Sequence, residues 1–179
     1  MQIRAAAAAD WPALWPLVKG VVDAGDTYAW QPTPSSEQMQ KLWLEPPPWQ
    51  VFVAEVEGRL IGTAKVGPNR PGRGAHVATA SFMVSPDHQG LGIGRQLGHF
   101  AVDWAHRTGY LAMQFNAVVE TNLAAIALWR SLGFGVIGTV PRAFSHPTEG
   151  LVGLHIMYRS LVDGPVIERP DEVRSPRDD

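Results

Sequence analysis

The sequence predicts an α/β (α+β) fold in which helices lie on both faces of a mixed, twisted central β-sheet of about six or seven strands. Alternating apolar and polar residues mark the strands, and apolar residues three and four positions apart mark the helices. Strands joined by short turns should pair antiparallel, whereas the strand–helix–strand unit from His76 to Val118 should form a parallel pair with a right-handed crossover. The presence of both kinds of pairing predicts the mixed topology.

Length and composition predict one globular domain. The chain has 179 residues, and 45% of them are apolar, which is typical of a packed core. We expect this domain to cover residues 1–162. Residues 163–179 are rich in charge and contain three prolines, so we expect them to form a mobile tail.

Composition also excludes several classes of protein. The chain has no cysteine, which excludes disulfides, thiolate zinc sites and a cysteine nucleophile, and its six histidines show no metal-ligand spacing. A net charge of −2 does not suit a nucleic-acid partner. No apolar stretch reaches the ~20 residues that span a bilayer, and the first residues lack the profile of a signal peptide. We therefore expect a cytoplasmic protein without metal, membrane or nucleic-acid partners.

The first fifty residues predict a short strand and two helices. The strand covers Gln2–Arg4, and the first helix begins after Asp10 as its N-cap and ends at Gly25. The pair Ser35 and Gln38 has the spacing of a capping box, which predicts a second helix to about residue 44.

The next segment predicts an antiparallel meander. Two alternating strands, Gln50–Val56 and Arg59–Val66, flank the tight-turn dipeptide Glu57-Gly58. A loop rich in glycine and proline, Gly67–Gly74, leads to a third strand over His76–Val84.

The remaining elements alternate helix and strand before a closing hairpin. A helix is predicted from Ile93 to Thr108, a strand over Tyr110–Val118, and a helix from Thr121 or Asn122 to Leu132. Two further strands, 135–140 and 151–159, close the fold.

The segment between the third strand and its helix indicates an anion site. Three glycines in five positions allow the backbone N–H groups to turn toward a ligand, and the helix that follows adds the positive end of its dipole. Phosphate or pyrophosphate is the ligand that such a cradle favours. The cradle consists of Gln89, Gly90, Leu91, Gly92, Ile93, Gly94 and Arg95.

Three other interpretations of this segment fit less well. A P-loop ends in Gly-Lys-Ser/Thr, and no lysine is present. A dinucleotide fingerprint would use Gly92, Gly94 and Gly98, but Gly98 is one residue late and the next strand ends at Asn116 rather than at an acid. A flexible connector rarely needs glycines at alternate positions at the start of a helix.

The segment resembles the signature of the GCN5-related N-acetyltransferases, the GNAT superfamily. That signature is Gln/Arg-x-x-Gly-x-Gly/Ala after a strand, and it is matched by Gln89, Gly92 and Gly94. The flanks that match are Met83-Val84-Ser85-Pro86, Asn122, Leu128 and Leu132-Gly133-Phe134. The resemblance covers about residues 2–161. Pro68–Arg73 with His76, and Phe115–Asn122, resemble the branch with a yeast enzyme that detoxifies proline analogues such as azetidine-2-carboxylate.

The resemblance implies acetyl-CoA as the cofactor and a GNAT-like sheet. The strands at 76–84 and 110–118 should splay apart so that the pantetheine arm lies between them, bonded to the backbone of Met83 and Val84. The pyrophosphate should lie on the N–H groups of residues 89–95, and Asn122 matches a position that contacts the CoA arm.

The chain departs from the family pattern at one position. Many relatives carry a tyrosine that protonates the departing thiolate, four residues before the glycine of the Gly-Phe pair. Here Trp129 stands there, and an indole N–H is a donor but not a practical acid. We expect Trp129 either to pack beside the thiol or to be a core aromatic residue.

The candidate catalytic residues are Glu120 and Asn116. Glu120 follows the strand that flanks the cofactor and would be a base or bind the amine; otherwise it is a loop carboxylate. Asn116 would hold a substrate carboxylate or polarise the acetyl group; otherwise it is a turn asparagine. The oxygen of the thioester needs a donor, which by family analogy is the N–H of Val84 or Met83.

The candidate acceptor-binding residues come from three segments. Thr27 and Tyr28 follow the first helix, in the region that forms the acceptor wall in relatives. Thr79 lies in mid-strand between small residues, and Phe144 and His146 lie in the loop predicted between the last two strands.

The sequence therefore predicts an acetyl-CoA-dependent N-acetyltransferase that acts on a small-molecule amine, such as an amino acid or analogue. A peptide or protein N-acetyltransferase is the alternative enzyme. A non-catalytic acyl-CoA-binding module is the alternative from another class. Family habit predicts a homodimer.

Overall fold

A computed structural model describes residues 1–30 and 35–162. These residues form seven strands: β1 (Gln2–Ala5), β2 (Gln50–Val56), β3 (Arg59–Pro68), β4 (Val77–Val84), β5 (Ala112–Val119), β6 (Gly135–His146) and β7 (Gly150–Ser160). The helices are α1 (Trp11–Ala24), α2 (Ser36–Trp43), α3 (Ile93–Arg107) and α4 (Leu123–Ser131). Single 3₁₀ turns cover Ala8–Asp10, Gly72–Gly74 and Pro86–His88. The predicted tail, 163–179, lies outside the described residues.

The strands form one mixed sheet in the order β1-β2-β3-β4-β5-β7-β6. Among the strands of the described residues, only β4 and β5 pair in parallel, and every other neighbouring pair is antiparallel. The predicted fold class, with its parallel crossover through the helix after β4, is confirmed.

Helices cover both faces because the apolar side chains of the strands alternate. The odd-numbered Val51 and Val53 of β2 pack with α1 and α2. The even-numbered Phe52 belongs instead to the cluster that includes the buried side of α3 and residues of α4. Alternation along the same strand thus provides two separate cores. No helix in the described part of the chain is long and apolar enough to cross a membrane.

The start of α2 has the predicted capping box, whereas Asp10 does not cap α1. The hydroxyl of Ser35 accepts from the N–H of Gln38, and Gln38 Oε1 accepts from the N–H of Ser35. The Asp10 carboxylate instead pairs with the Arg4 guanidinium at 2.8 Å and accepts from the N–H of Ala7 at 2.7 Å. These contacts, that to Arg4 first, lower the pKa of Asp10 to about 2.

β6 is longer than predicted, and this corrects the placement of two candidate residues. It continues past residue 140 through a register shift between Val140 and Phe144, so Phe144 and His146 lie in a strand rather than a loop. Pro141 directly follows the predicted end of the strand. It is tolerated because it lies within this register shift of an edge strand, where its missing N–H breaks no ladder bond.

β4 and β5 are paired over only two residue pairs, Val77 with Ala112 and Ala78 with Met113. Beyond these pairs the ladder stops, although both strands continue. β5 also shifts register against β7 between Phe115 and Val118. The splay expected between these strands is therefore present, and it places an opening in the middle of the sheet.

We predict that Thr63→Val destabilises the α2 side of the sheet. The Thr63 hydroxyl is fully buried; it accepts from Trp43 Nε1 (3.1 Å) and donates to the Phe52 carbonyl (2.8 Å). Valine leaves the buried Trp43 Nε1–H without an acceptor and removes one donor from the Phe52 carbonyl, so we expect a loss of about 1–3 kcal/mol in the free energy of unfolding in urea. Thr108→Val, which removes an exposed hydrogen bond to Trp104, is the control and should change it by less than about 0.5 kcal/mol. Equal effects of the two substitutions would contradict this account.

Candidate functional site

A cavity of about 530 Å³ lies where β4 and β5 separate. Its wall combines the end of α1 and the segment after it with β4, β5, the start of α4, and residues of β6 and β7. The predicted site residues that line it are Thr27, Tyr28, Thr79, Met83, Val84, Gln89, Asn116, Asn122, Trp129 and Phe144. The opening therefore brings together predicted site residues that are up to 117 positions apart in the sequence, from Thr27 to Phe144.

The hydrogen bonds between β3 and β4 determine which backbone groups of β4 face this opening. The N–H of Asn69 donates to the Val77 carbonyl (2.8 Å), and the N–H of Ser85 donates to the Ile61 carbonyl (2.9 Å). Because hydrogen-bonded pairs alternate along an antiparallel ladder, every odd residue of β4 between these points binds β3. The even residues turn their N–H and C=O groups toward the opening.

This hydrogen-bonding pattern changes which backbone groups we expect to contact the cofactor arm. Met83 pairs with Thr63 of β3, and its side chain is buried beside α1, so its peptide groups do not face the opening. Phe82 and Val84 face it instead. Phe82 is not among the residues that the sequence predicted to bind the cofactor. Alternation of apolar residues does not reveal which residues of a strand hydrogen-bond to the neighbouring strand.

The glycine loop before α3 presents a row of unpaired amides. In the described part of the chain, the N–H groups of residues 90–95 make no intramolecular hydrogen bond, although the N–H groups on either side, of Gln89 and Gln96, do. Gly92 is the N-cap of α3 with φ +76°, a conformation that favours glycine. Leu91 is 65% exposed, which leaves the loop open to solvent. Free amides at a helix N-terminus make this loop able to bind an anion.

The start of α4 lies on the other side of the opening. Asn122 caps this helix, since its Oδ1 accepts from the N–H of Ala125 at 3.0 Å. Its Nδ2 group makes no hydrogen bond within residues 1–30 and 35–162, so it can donate to a ligand in the cavity.

Aromatic side chains form the α3–α4 side of the cavity. Trp129 is buried, and its ring lies 4.7 Å from Phe82 and 4.7 Å from Phe115, centroid to centroid. The helices approach closely here because residue 98 is a glycine: a Cβ there would lie 2.6 Å from Leu132 Cδ1. Gly98, considered above as part of a dinucleotide fingerprint, therefore serves helix packing. Trp129 is both a core residue and part of the cavity wall.

Tyr28 closes the α1 side of the opening. Its hydroxyl donates to the Phe82 carbonyl (2.9 Å), and its ring stacks on Trp30 at 4.6 Å. Burial raises the pKa of Tyr28, against the opposing effect of its hydrogen bonds to Phe82 and Ser81. Tyr28 is therefore a neutral donor. Thr27 beside it has a buried hydroxyl that lacks a partner in the described structure.

Asn116 stands at the mouth of the opening, in the register shift of β5. Its Nδ2 donates to Asn69 Oδ1 (2.6 Å), and its Oδ1 accepts from Gln114 Nε2 (2.8 Å). The neighbouring Thr79 and Ser81 also line the cavity. Ser81 was missed by the sequence reasoning, although its place two residues after Thr79 puts it on the same face of β4.

Glu120 does not line the cavity. Its carboxylate accepts from the N–H of Gly153 in β7, and its own N–H donates to the Gly153 carbonyl (3.0 Å). A Cβ at residue 153 would lie 2.6 Å from Glu120 Oε2, so this contact requires glycine. The structure thus gives Glu120 a role in joining β5 to β7, and its role as a base stays a prediction.

His146 is also absent from the cavity wall. Its Nδ1 accepts from the N–H groups of Thr148 and Glu149 in the turn after β6. Phe144, two residues earlier, is buried and lines the cavity. Among residues 1–30 and 35–162, no group of three histidine, aspartate or glutamate side chains could hold a metal ion.

Comparison with known proteins gives consistent matches. The model of the acetyltransferase (GNAT) family matches residues 11–134. A solved GCN5-related N-acetyltransferase from Kribbella flavida is 52% identical and has a TM-score of 0.85. The match covers 89% of this chain and 96% of that one.

Two curated relatives also match. The N-acetyltransferase aca1 of Schizosaccharomyces pombe is 39% identical over 100 residues, which are 54% of this chain and 47% of that protein. The chain therefore spans about half the length of aca1. The L-methionine sulfoximine/L-methionine sulfone acetyltransferase of Pseudomonas aeruginosa is 30% identical over 146 residues, which are 78% of this chain and 83% of that protein.

We predict that the Glu120–Gly153 contact stabilises the protein through an oxygen acceptor rather than through charge. Glu120→Ala leaves the N–H of Gly153 unpaired and should lower the free energy of unfolding by about 1–3 kcal/mol. Glu120→Gln keeps an oxygen in reach and should lower it by less than about 1 kcal/mol. Urea unfolding measures both, with Glu149→Ala in the exposed turn as the control. A wild-type stability for Glu120→Ala would contradict the proposed contact.

Proposed function

Because the chain belongs to the acetyltransferase (GNAT) family, we propose that it transfers the acetyl group of acetyl-CoA to the amine of a small molecule. One observation carries this proposal. Six consecutive unpaired N–H groups, 90–95, lie beside an opening in the sheet whose edge has unpaired backbone groups. An anionic head joined to an extended, amide-containing arm satisfies both features at once.

The residues of this chain fit acetyl-CoA in three places. The N–H groups of residues 90–95 hold the diphosphate, with Arg95 at the exposed rim. The peptide groups of Phe82 and Val84 bind the pantetheine arm in the manner of an added strand. Asn122 donates to the arm through its free Nδ2. Most of these contacts use backbone atoms.

The acetyl group supplied by bound acetyl-CoA reacts with a neutral amine. At pH 7 the neutral form costs about 4–5 kcal/mol for an amine of pKa 10.4, but only about 1 kcal/mol for an α-amine near pKa 8. Asn116 lies at the cavity mouth and orients the amine, and Glu120 is the candidate base. The N–H groups of Phe82 and Val84 both face the opening; one of them donates to the thioester oxygen, and the other binds the pantetheine arm.

The aromatic and hydroxyl-bearing wall favours a small acceptor. Tyr28, Trp30 and Phe144 line a cavity of about 530 Å³, a volume that suits a small acceptor molecule. Among the described residues that line it there is no lysine, arginine or histidine, so neutral donors such as Thr27 and Ser81 would hold an acceptor carboxylate. The Pseudomonas relative is named for two amino-acid analogues, which supports an amino acid or analogue as the acceptor here.

One observation favours the non-catalytic alternative, an acyl-CoA-binding module. Trp129 replaces the tyrosine acid of many relatives. A CoA thiol with pKa near 8.5 leaves without an acid at neutral pH, so we retain the enzyme as the proposal. A homodimer and a cytoplasmic location are further proposals. The first rests on family habit and is tested by sedimentation at micromolar concentration, and the second rests on the composition of the chain.

Thiol release from acetyl-CoA across a panel of amines and amino acids tests the proposed function. We expect turnover with at least one small amine, and we expect Gly92→Ala to weaken acetyl-CoA binding at least 10-fold by calorimetry. Gly109→Ala is the matched control: Gly109 ends the same helix with φ +94° and, like Gly92, has nothing near its Cβ position. Both variants lose about 1–2 kcal/mol of stability through backbone strain, but only the first should lose affinity.

Two results would count against the proposal. Equal affinity losses in the two glycine variants would show that strain, not the loss of the cradle, weakens binding. Acetyl-CoA binding without turnover on any amine would support the binding module. In the same assay, Glu120→Gln should abolish turnover if Glu120 is the base and leave it nearly unchanged if Glu120 only joins the strands.

We predict that Tyr28 is a donor and not a proton-transfer group. Burial raises its pKa, so the folded protein keeps the hydroxyl neutral above pH 10, where the unfolded chain ionises. The contribution of protonated Tyr28 to stability is therefore complete below pH 10 and is lost as the pH rises further.

Tyr28→Phe unpairs the Phe82 carbonyl and should lower kcat/KM about 3- to 10-fold. The pH profile of kcat/KM between pH 6 and 10 should have the same shape in Tyr28→Phe as in the wild type. If the wild type loses activity at high pH and Tyr28→Phe does not, Tyr28 transfers a proton and is not only a donor.

A further inference from the structure

A chain of three side-chain amides crosses the mouth of the opening. Gln114 Nε2 donates to Asn116 Oδ1 (2.8 Å), and Asn116 Nδ2 donates to Asn69 Oδ1 (2.6 Å). Asn69 lies just after β3, whereas the other two residues lie in β5. The bonds therefore join two segments that are 47 residues apart, across the point where the parallel ladder stops.

In the structure the three amides are bonded in one direction, and this direction gives Asn116 one orientation. An asparagine amide can exchange the positions of its oxygen and nitrogen by a half-turn, and only its partners decide between the two. Here a donor faces the oxygen and an acceptor faces the nitrogen. One amide hydrogen and one lone pair of Asn116 are used, and one of each stays available to a molecule in the cavity.

Both backbone groups of Asn69, its N–H and its carbonyl, are hydrogen-bonded. Its N–H donates to the Val77 carbonyl (2.8 Å), and its carbonyl accepts from Arg70 Nη1 (2.9 Å). Asn69 is half-buried and does not line the cavity. It therefore contacts no substrate, but it presents its Oδ1 to Asn116 from a fixed position.

We propose that Asn69 is a positioning residue, which acts with Gln114 to orient the Asn116 amide toward the acceptor amine. The inference rests on the proposed function. With the amide fixed, the free lone pair of Asn116 Oδ1 accepts from the amine N–H, which orients the nitrogen lone pair of the amine toward the acetyl carbon. Without Asn69, Asn116 keeps its contact with the cavity but loses its fixed orientation.

The experiment compares three variants with a control from the same loop. Asn69→Ala removes the acceptor, and Asn69→Asp keeps it. Gln114→Glu replaces the donor that faces Asn116 Oδ1 with a carboxylate. Arg73→Ala is the control, because the Arg73 side chain is exposed and makes no hydrogen bond in the described part of the protein. Each variant is assayed for acceptor kcat/KM, acetyl-CoA affinity and unfolding midpoint.

We expect a pattern that a merely structural role would not produce. Asn69→Ala and Gln114→Glu should each lower kcat/KM for the acceptor about 3- to 10-fold, whereas Asn69→Asp and Arg73→Ala should stay within about twofold of wild type. Acetyl-CoA affinity should stay within about twofold in all four. An unchanged kcat/KM in Asn69→Ala, or a loss in Asn69→Asp equal to that in Asn69→Ala, would overturn the inference.

A second readout does not require turnover. The side-chain amide signals of Asn116, assigned in ¹⁵N-resolved NMR by their absence in Asn116→Ala, should shift in Asn69→Ala and not in Arg73→Ala. Signals that stay unchanged in Asn69→Ala would refute the amide chain even if the enzyme is active. A wild-type protein without turnover would refute the proposed function and the positioning role, and the signals would then show whether the amide chain itself exists.

Discussion

The short parallel pairing of β4 and β5 is the constraint on which the rest of the structure depends. Two residue pairs hold the strands together, and past them Phe82 and Val84 have peptide groups without a neighbouring strand. Unpaired peptide groups inside a protein are costly, so the fold needs something that hydrogen-bonds like a strand in this gap. The Tyr28 hydroxyl already serves one of them, the carbonyl of Phe82. The others define where an extended, amide-bearing ligand fits.

The two sides of the opening use different kinds of recognition. On the α3 side, backbone amides of residues 90–95 and of β4 provide the donors, so the sequence needs glycines and correct strand pairing rather than particular side chains. On the α1 side, the donors and acceptors are side chains, such as those of Thr27, Ser81 and Asn116. Single substitutions can therefore change the acceptor without disturbing the anion cradle.

The sequence predicted the elements and the glycine-rich loop at the start of α3 well, because periodicity, caps and glycine spacing are local signals. It predicted three features less well, and each depends on a distant partner. The end of β6 was wrong because Pro141 looks like a strand breaker unless the strand is known to be at an edge. Met83 was expected to face the cofactor arm, but the β3 register turns its peptide groups away. The contact of Glu120 with Gly153 joins residues 33 positions apart.

The cost of the proposed reaction at the sulfur is small enough for Trp129 to stand where many relatives have an acid. Without an acid in that place, the thiolate forms at a cost of about 2 kcal/mol at pH 7, given a thiol pKa near 8.5. The neutral α-amine of an amino acid or analogue costs about 1 kcal/mol at the same pH, whereas a lysine-like amine would cost about 4–5 kcal/mol. An α-amine acceptor therefore needs no strong base. What the site has to supply for it is the orientation of the amine, and Asn116 is the candidate for that role.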